Sequence, residues 1–449
     1  MVSLSYWLAA SLAASVCGFH LQHKPRLQPS LPPSQDAFYA VPEDIGRFSP
    51  GEIINHREPP SPITAYEWVP AHVEKAYQIL YRTTDSREQP TATVLTVLIP
   101  PDADYNKLLS LQMAEDSATI DCSPSYSIQR EAQSNPLLRS TLIELQLLLA
   151  EAVLVQKAIV IVPDFEGPEA SFTASKITSH AILDGIRAAT RSGHITGIGS
   201  KPRIALWGYS GGASATHAAV TMQELYAPEL EVVGAAMGGL PALEDPIGIF
   251  NLNKGPSAAL IPSALIGLAT QHPDLKKSID QSLKDEHRDL FYSPLHRCLQ
   301  PSAVVLANQD ILAMFKDESI PQLTAELVKA FHKENDMPPT AIKAPLYVYQ
   351  SVIDHISDVQ KIDVMVRDYC EQGVSVHYER ANSTNLSHVK YGIIGAPKAI
   401  SWIQDRLDGK EAPRGCVNLT DTTSTLDPNF ASLFPKNISD AVIRTISGP

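Results

Sequence analysis

The sequence predicts an α/β fold in which a mostly parallel sheet carries helices on both faces. Apolar, β-branched runs of strand length alternate along the chain with segments whose apolar residues recur at helical spacing. This alternation is typical of parallel strands joined by helical crossovers. One run, 157–165, is apolar almost throughout, as expected for a strand that is covered on both faces.

The elements follow one another in a regular order. The predicted strands are AYQILYRTT (76–84), ATVLTVLIP (92–100), KAIVIVPDF (157–165), PRIALWGYS (202–210), LEVVGAAMGG (230–239), PLYVYQS (345–351) and VSVHYER (374–380). The predicted helices are STLIELQLLLAEAVLVQ (140–156), SHAILDGIRAATRS (179–192), GGASATHAAVTMQELYA (211–227) and PKAISWIQDRL (397–407). Apolar residues recur about every two residues in the strand pattern and about every 3.6 residues in the helix pattern, and this difference separates the two classes of element.

The same patterns divide the 449 residues into five parts. Between about 240 and 340 the alternation gives way to Pro-punctuated helical pieces, which indicates a cap inserted between two strands of the sheet. We expect a signal peptide at 1–18, a Pro-rich extension at 19–70, an α/β core at 71–239 and 341–416, a helical cap at 240–340, and a sparse C-terminal tail at 417–449.

The first residues are typical of a secretory signal. Their apolar centre, from Leu4 to about Val16, is too short to span a bilayer and is followed by small residues. An interfacial anchor helix is the alternative. We therefore expect the protein to be secreted, and cleavage would also remove Cys17.

The rest of the chain fits export. Four cysteines remain, which suggests two disulfides with three alternative pairings. These cysteines are Cys122, Cys298, Cys370 and Cys416. Glycosylation motifs of the Asn-x-Ser/Thr type occur at Asn382, Asn385, Asn418 and Asn437.

Charge limits the classes of partner. The formal net charge is −13, which argues against nucleic acid because that partner requires a basic surface. The sequence has no Lys/Arg run and no Cys/His spacing typical of a metal site. We expect a small or lipid substrate, no metal, no organic cofactor and no obligate protein partner.

One motif predicts a nucleophile. Gly208-Tyr209-Ser210-Gly211-Gly212 has the G-x-S-x-G pattern, with a predicted strand before it and a predicted helix after it. In that setting the serine lies on a strained turn that exposes its hydroxyl, and the start of the helix faces a developing oxyanion. A Gly/Ser turn without catalysis is the alternative.

A serine nucleophile needs a base and an orienting acid, which follow it in the order acid, then base. Asp354 lies just past the strand 345–351, and Asp358 and Asp363 are alternatives nearby. His388 lies between the final strand and the final helix. Two other histidines are alternatives for the base: His377, which lies inside that strand, and His355, which lies beside the acid.

Several stretches together resemble the fungal secretory lipases of the lipase A type, which have a capped α/β-hydrolase fold. The resemblance runs from about Pro50 to Cys416 and includes LLSLQMAEDSATIDCSPSY, VPDFEGPEASF, AILDGIRAA, WGYSGGASATHAA, GAAMGGLPA, YCEQGVSVHYE and AISWIQDRLDGKEAPRGC. The family also includes trichothecene C-3 esterase-like members, which remove acetyl groups from fungal metabolites. The resemblance implies a serine carboxylic ester hydrolase that acts through an acyl-enzyme.

The resemblance also implies roles for individual residues. It places the catalytic serine, acid and base on Ser210, Asp354 and His388, and the oxyanion hole on Gly211 and Asp116. It implies disulfides between Cys122 and Cys298 and between Cys370 and Cys416. The chain departs from the family pattern beside the acid: it has Gln350-Ser351 where His-Gly is usual, and Asp358 where a proline is usual.

Three alternatives follow from these residues. The chain is a lipase, a deacetylating esterase of a secondary metabolite, or an inactive hydrolase-fold binding protein. In the cap, SAALIPSALIGLA (257–269) is apolar almost throughout. It is either an interfacial lid that makes transient contact with lipid or a helix buried between cap and core.

Overall fold

The computed structural model describes residues 30–241, 245–335 and 342–421, together with Lys436. The predicted signal peptide, Asn437 and most of the predicted tail lie outside the described residues. Within them, no helix combines the length and the apolar character that crossing a bilayer requires.

The strands are short to medium in length, and most are buried. Their bounds are β1 Ile53–Arg57, β2 Thr64–Ala65, β3 Val69–Pro70, β4 Lys75–Thr84, β5 Pro90–Ile99, β6 Asp104–Gln112, β7 Ala158–Pro163, β8 Arg203–Tyr209, β9 Val232–Gly238, β10 Leu346–Ser351, β11 Val376–Ala381 and β12 Cys416–Asp421.

In the described chain, ten strands form one sheet in the order β1-β4-β5-β7-β6-β8-β9-β10-β11-β12. The pairs from β7 through β12 are parallel, whereas β1, β4 and β5 join the sheet through antiparallel pairs. Strands β2 and β3 form a separate small sheet. Because the carboxyl ends of the parallel strands share one edge, the loops after β6, β8, β10 and β11 meet there.

Helices occupy both faces of this sheet and the segment between β9 and β10. Their bounds are α1 Pro124–Ser127, α2 Thr141–Leu154, α3 Ser175–Arg191, α4 Gly193–Thr196, α5 Gly211–Tyr226, α6 Leu260–Gln271, α7 Pro273–Ser282, α8 Arg288–Phe291, α9 Leu299–Leu306, α10 Ile320–Asn335, α11 Val359–Glu371, α12 His388–Ile394 and α13 Ala396–Leu407.

Two hydrophobic clusters lie against the two faces of the sheet. One contains the apolar residues of α2 and α13, and the other contains those of α3 and α5. Strand β7 is buried at every position, which explains its apolar sequence. The predicted fold class, an α/β-hydrolase with helices on both faces, is confirmed.

The segment between β9 and β10 has a hydrophobic cluster of its own, built largely from α6, α7 and α10. Helix α6 corresponds to the apolar stretch 257–269, and nearly all of its residues are buried. In this conformation the helix lies inside the protein, as the buried-helix alternative expects.

Several elements escaped the sequence analysis, among them three strands of the large sheet (β1, β6 and β12) and helix α11. Strand β6 begins with exposed polar residues and is buried only in its second half, so it lacks the continuous apolar run of its neighbours. Strands β1 and β12 are the outer strands of the sheet, where burial does not impose an apolar pattern. The expected extension 19–70 therefore contains a sheet strand, and the expected tail begins inside β12.

Candidate active site

Ser210 lies on the sharp turn between β8 and α5. Its backbone has φ 56° and ψ −125°, a conformation that L-residues rarely adopt and that surrounding structure must maintain. A Cβ on Gly208 would lie 2.0 Å from the carbonyl oxygen of Gly212, and a Cβ on Gly212 would lie 2.0 Å from that of Gln112. These two glycines of the motif are therefore a packing requirement of the turn.

Ser210 is in hydrogen-bond contact with a histidine that is itself bonded to a carboxylate. Ser210 Oγ lies 2.7 Å from His388 Nε2, and His388 Nδ1 lies 2.7 Å from Asp354 Oδ2. When Nδ1–H donates to the carboxylate, Nε2 is left as the acceptor for the serine hydroxyl. The histidine and aspartate side chains are only 5% and 0% exposed. The three groups form a continuous chain of hydrogen bonds, in which the histidine and the aspartate are shielded from water and the serine faces more open space.

The loop after β10 surrounds Asp354 with donors. Its Oδ1 accepts backbone N–H groups from Ile356 and Ser357, both at 2.9 Å, and Gln350 Nε2 lies 3.2 Å from Oδ2. Burial alone would raise the pKa of this carboxyl. The hydrogen bonds and charge of His388, with the two backbone donors, instead hold the pKa below its ordinary value. Asp354 is therefore a carboxylate that orients the imidazole.

The alternative acids have other partners. Asp358 is exposed and caps the start of α11 by accepting the N–H of Gln360 at 2.9 Å. Asp363 accepts hydrogen bonds from the Tyr378 hydroxyl at 2.8 Å and the Arg380 guanidinium at 3.1 Å. Both carboxylates are accounted for by these local contacts.

The alternative histidines also differ from His388. His377 lies within β11 and packs against Tyr347, with ring centroids 5.0 Å apart. His355 is exposed, and its ring centroid lies 6.4 Å from that of His388. Neither is in the hydrogen-bonded chain that ends at Ser210.

The loop after β6 brings Asp116 beside Gly211, the residue that follows the serine. A Cβ on Gly211 would lie 1.8 Å from Asp116 Oδ1, so only glycine fits at that position. Asp116 has φ 49°, a left-handed conformation that aspartate tolerates better than most residues. Burial raises the pKa of its carboxyl to about 6, and the nearby His388 opposes that rise.

Three more buried carboxyl groups lie near Asp116. Glu115 and Glu166 are buried, and among the described residues no hydrogen-bond partner contacts their carboxyl oxygens. Burial raises the pKa of both well above the ordinary range. Burial also raises the pKa of Asp164 to about 7, although Ser125 donates hydrogen bonds to it. Burial thus favours the neutral form of the carboxyl groups in this part of the site.

A cavity of about 460 Å³ opens onto Ser210 and is lined by residues of the segment between β9 and β10 and by residues around the carboxyl edge of the sheet. Helices α6 and α10 contribute apolar side chains, among them Leu268 and Phe331. The region around the start of α11 contributes polar ones, and there Lys361 pairs with Asp245 at 2.6 Å. The cavity can thus accommodate an apolar group and a polar group of one ligand.

Sequence reasoning missed three residues that support this arrangement. The Tyr209 hydroxyl donates to the backbone oxygen of His388 at 2.6 Å. The position of Tyr209 inside the G-x-S-x-G motif is a sequence signal that could have identified it. Gln350 contacts the acid, and Ser351 contacts the loop that carries the base. These two were visible in the sequence only as departures from a family pattern.

The remaining predicted residues lie outside the cavity. Cys122 is bonded to Cys298, which links the core to the segment between β9 and β10, and Cys370 is bonded to Cys416. These are the pairs that the family resemblance implies. Three glycosylation motifs have exposed asparagines, at Asn382, Asn385 and Asn418. Among the described side chains, no group of three or more His, Cys, Asp or Glu could hold a metal ion.

The sheet, the serine turn and the inserted helical segment together define an α/β-hydrolase. The secretory lipase family model matches residues 131–415. The chain is 36% identical to lipase A of Arthroderma benhamiae over 421 residues, spanning 93% of this chain and 89% of that protein. It belongs to the secretory lipase family and is a carboxylic ester hydrolase, which confirms the predicted family and enzyme class.

Two further comparisons extend this result. The trichothecene C-3 esterase of Fusarium sporotrichioides is 33% identical over 92% of this chain and 91% of its own length. The X-ray structure of Candida antarctica lipase A in its closed state matches with a TM-score of 0.78 at 26% identity, covering 92% of this chain and 96% of that one. A lipase and a trichothecene esterase are thus both relatives over more than nine tenths of this chain.

Proposed function

We propose that the protein hydrolyses carboxylic esters by acyl transfer to Ser210, with His388 as the base and Asp354 as the orienting acid. The observation that carries this proposal is the pair of 2.7 Å contacts that join the three side chains. A serine hydroxyl is a weak nucleophile until an adjacent base removes its proton during attack. The contact between Oγ and Nε2 meets that requirement directly.

In the first step, Oγ attacks the ester carbonyl carbon as its proton passes to Nε2 of His388. The carboxylate of Asp354 stabilises the imidazolium and keeps Nε2 directed at the serine. The tetrahedral intermediate then collapses: the bond from carbon to the alcohol oxygen breaks, and the imidazolium returns its proton to that oxygen. An acyl-serine and a free alcohol result.

The second step regenerates the enzyme. Nε2 takes a proton from water as the water oxygen attacks the acyl carbon, and the serine oxygen leaves with that proton. In both steps we assign the negative oxygen to the backbone N–H groups of Gly211 and Asp116, whose proximity supports this role. Each such donor contributes about 3 kcal/mol to transition-state stabilisation.

The cavity bears on the substrate class. Its apolar lining from α6 and α10 suits an acyl chain, as a lipase requires. A second candidate is deacetylation of a polar terpenoid, which the polar lining at Asp245 and Lys361 and the whole-length similarity to the trichothecene C-3 esterase both favour. We further propose that residues 240–340 act as the cap over the site.

Export is part of the same proposal. The two disulfides are typical of proteins that fold in the secretory pathway, and the exposed asparagines of three motifs are accessible to glycosylation. We therefore place the enzyme outside the cell, with residues 1–18 as the removed signal.

Ser210→Ala tests the nucleophile. The variant should remain folded, because an alanine methyl occupies less space than the serine side chain, and should lose turnover of p-nitrophenyl butyrate by roughly 10⁴-fold or more. Thermal unfolding confirms that the fold is retained. Turnover at the wild-type rate would refute the assignment and require another nucleophile.

Substrate class is tested with a separate series. Acetyl, butyryl and long-chain esters are compared below and above their solubility limits, alongside an acetylated sesquiterpenoid. An abrupt rise in rate above the solubility limit supports a lipase with interfacial contact through the cap. Simple saturation kinetics, with preference for the acetylated terpenoid, supports the deacetylase.

A further inference from the structure

Gln350 is a fully buried amide at the end of β10, four residues before Asp354. Its Nε2 lies 3.2 Å from Asp354 Oδ2, the same oxygen that accepts the proton-bearing Nδ1 of His388. Nε2 also lies 3.3 Å from the carbonyl oxygen of Ser357 and 3.4 Å from that of Ser351. The amide thus contacts both the acid and the backbone of the loop that carries it.

The orientation of this amide is determined by its neighbours. A flipped amide would direct its oxygen at a carboxylate oxygen and at two carbonyl oxygens, all of which are acceptors, so Nε2 must face Asp354. In the observed orientation the amide oxygen is buried, and it has no hydrogen-bond partner in the described residues. Buried polar atoms are rarely left unpaired, and an exception calls for a compensating role.

Ser351, the residue after Gln350, connects the loop that carries the acid with the loop that carries the base. Ser351 Oγ donates to the carbonyl oxygen of Leu386 at 2.6 Å, two residues before His388. The backbone continues the same connection, since the N–H of Val352 donates to the carbonyl oxygen of Ala381 at 3.1 Å. Ser351 is itself fully buried. The two loops are therefore joined at the point where each leaves the sheet.

We propose that Gln350 and Ser351 are positioning residues of the catalytic site: Gln350 orients the acid and disperses its charge, and Ser351 holds the loop of the base beside it. This inference rests on the proposed function of Asp354 and His388. It assigns a role to the two positions at which the sequence departs from the pattern that the family resemblance implies. Neither residue contacts the reacting atoms.

Gln350 affects the pH dependence of kcat/KM through the negative charge on Asp354. A donor to Oδ2 takes up part of the negative charge with which Asp354 stabilises the imidazolium. Without that donor the unpaired charge favours the protonated imidazole more strongly, and a protonated imidazole cannot act as base. The acidic limb of kcat/KM against pH should therefore move to higher pH.

Other ionisable groups face this pair from neighbouring elements. Asp116 from the loop after β6 interacts with His388, Tyr209 from β8 interacts with Asp354, and His355 lies on the acid loop itself. All three stay in place in the variants that follow, so a shift between wild type and variant reports on the altered side chain.

Gln350→Met is the decisive variant, because methionine has similar length and no donor. We expect kcat to fall about tenfold, as for loss of one hydrogen bond to a charged group. KM for a soluble ester should stay nearly constant, and the acidic limb should move to higher pH. Gln350→His keeps a donor and should recover most of the loss in kcat.

Gln223→Met is the matched control. Gln223 is also a buried glutamine, and its Nε2 donates to the carbonyl oxygens of Ala227 and Leu230 at the far end of α5. This variant should lose thermal stability without any change in kcat or in the acidic limb. Equal effects of the two methionine variants on kcat and pH profile would overturn the proposal, as would wild-type kinetics in Gln350→Met.

Ser351→Ala completes the test. It should lower kcat without moving the acidic limb, because it loosens the loop and leaves the charge on Asp354 unchanged. Rates are expressed per active serine, titrated with a fluorophosphonate probe. If wild type is not labelled by the probe, the proposed function fails. If it is labelled and neither variant departs from wild type, only the positioning role fails.

Discussion

The buried carboxyl of Asp164 should make the protein less stable as pH rises. It follows β7, is 3% exposed, and accepts hydrogen bonds from the backbone N–H and the hydroxyl of Ser125. The perturbation is Asp164→Asn. In the variant the amide oxygen can accept the N–H of Ser125 and the amide nitrogen can donate to its hydroxyl, which then donates to the Tyr39 hydroxyl 2.9 Å away.

The magnitude follows from the shift in acidity. Burial raises the pKa of Asp164 from 3.8 to about 7, and each unit corresponds to 1.36 kcal/mol. The native state therefore binds a proton that the unfolded state has released, so the free energy of unfolding falls as pH rises from about 4 to about 7. The stabilisation is fully present below pH 3.8, and about 4 kcal/mol is lost above pH 7.

Urea unfolding followed by tryptophan fluorescence at pH 4 and pH 8 measures the effect. Wild type and Asp164→Asn should have similar free energies of unfolding at pH 4. At pH 8 the variant should be more stable by about 4 kcal/mol, since its amide does not ionise. Glu115 and Glu166 contribute pH dependence to both proteins. Because the charge of Asp164 helps to raise the pKa of Glu115, the difference between the two proteins reports Asp164 together with that interaction.

A surface substitution serves as the control for this comparison. Asp102 is exposed and has φ 53°, which asparagine accepts readily. The free energy of unfolding of Asp102→Asn should differ from that of wild type by the same amount at every pH in the range. If the difference between Asp164→Asn and wild type were also constant from pH 4 to pH 8, the reasoning about buried carboxyls would be refuted.

Three further predictions concern the architecture of the site. Gly208→Ala should cost about 3 kcal/mol of stability because its Cβ would meet a carbonyl oxygen at 2.0 Å; an unchanged melting temperature would contradict this. Replacing Cys122 and Cys298 together by serine opens a bridge of sequence separation 176 and should cost about 5 kcal/mol in urea unfolding, whereas equal midpoints would show that the bridge is dispensable. Tyr209→Phe removes the 2.6 Å bond to the backbone of His388 and should lower kcat about fivefold at constant KM, an expectation that an unaltered kcat would exclude.

Much of the fold was predictable because its signals are local. Strand β7 is buried at every position, so burial alone imposes an apolar run. The serine turn is marked by glycines that steric contact requires, and the candidate acid and base follow strands in an order that the fold restricts. For these residues a short stretch of chain carries most of the physical constraint.

The features that the sequence did not predict depend on contacts between segments that are distant in the chain. Asp116 lies beside Gly211 only because β6 and β8 are neighbours in the sheet, and the polar start of β6 conceals that strand. The electrostatic interaction of Glu115 with Glu166 connects the loops after β6 and β7. Gln350 appeared in the sequence as an unexplained departure, since its role is visible only when the orientation of its amide is known.

The covalent intermediate offers the most direct test of the proposed chemistry. Wild-type enzyme is mixed with p-nitrophenyl butyrate, quenched in acid within milliseconds, digested and analysed by mass spectrometry, with His388→Ala treated in parallel. We expect one butyryl group on the peptide that contains Ser210 in wild type, and almost none in the variant. Butyryl transfer to a different residue, or equal labelling in His388→Ala, would contradict the account.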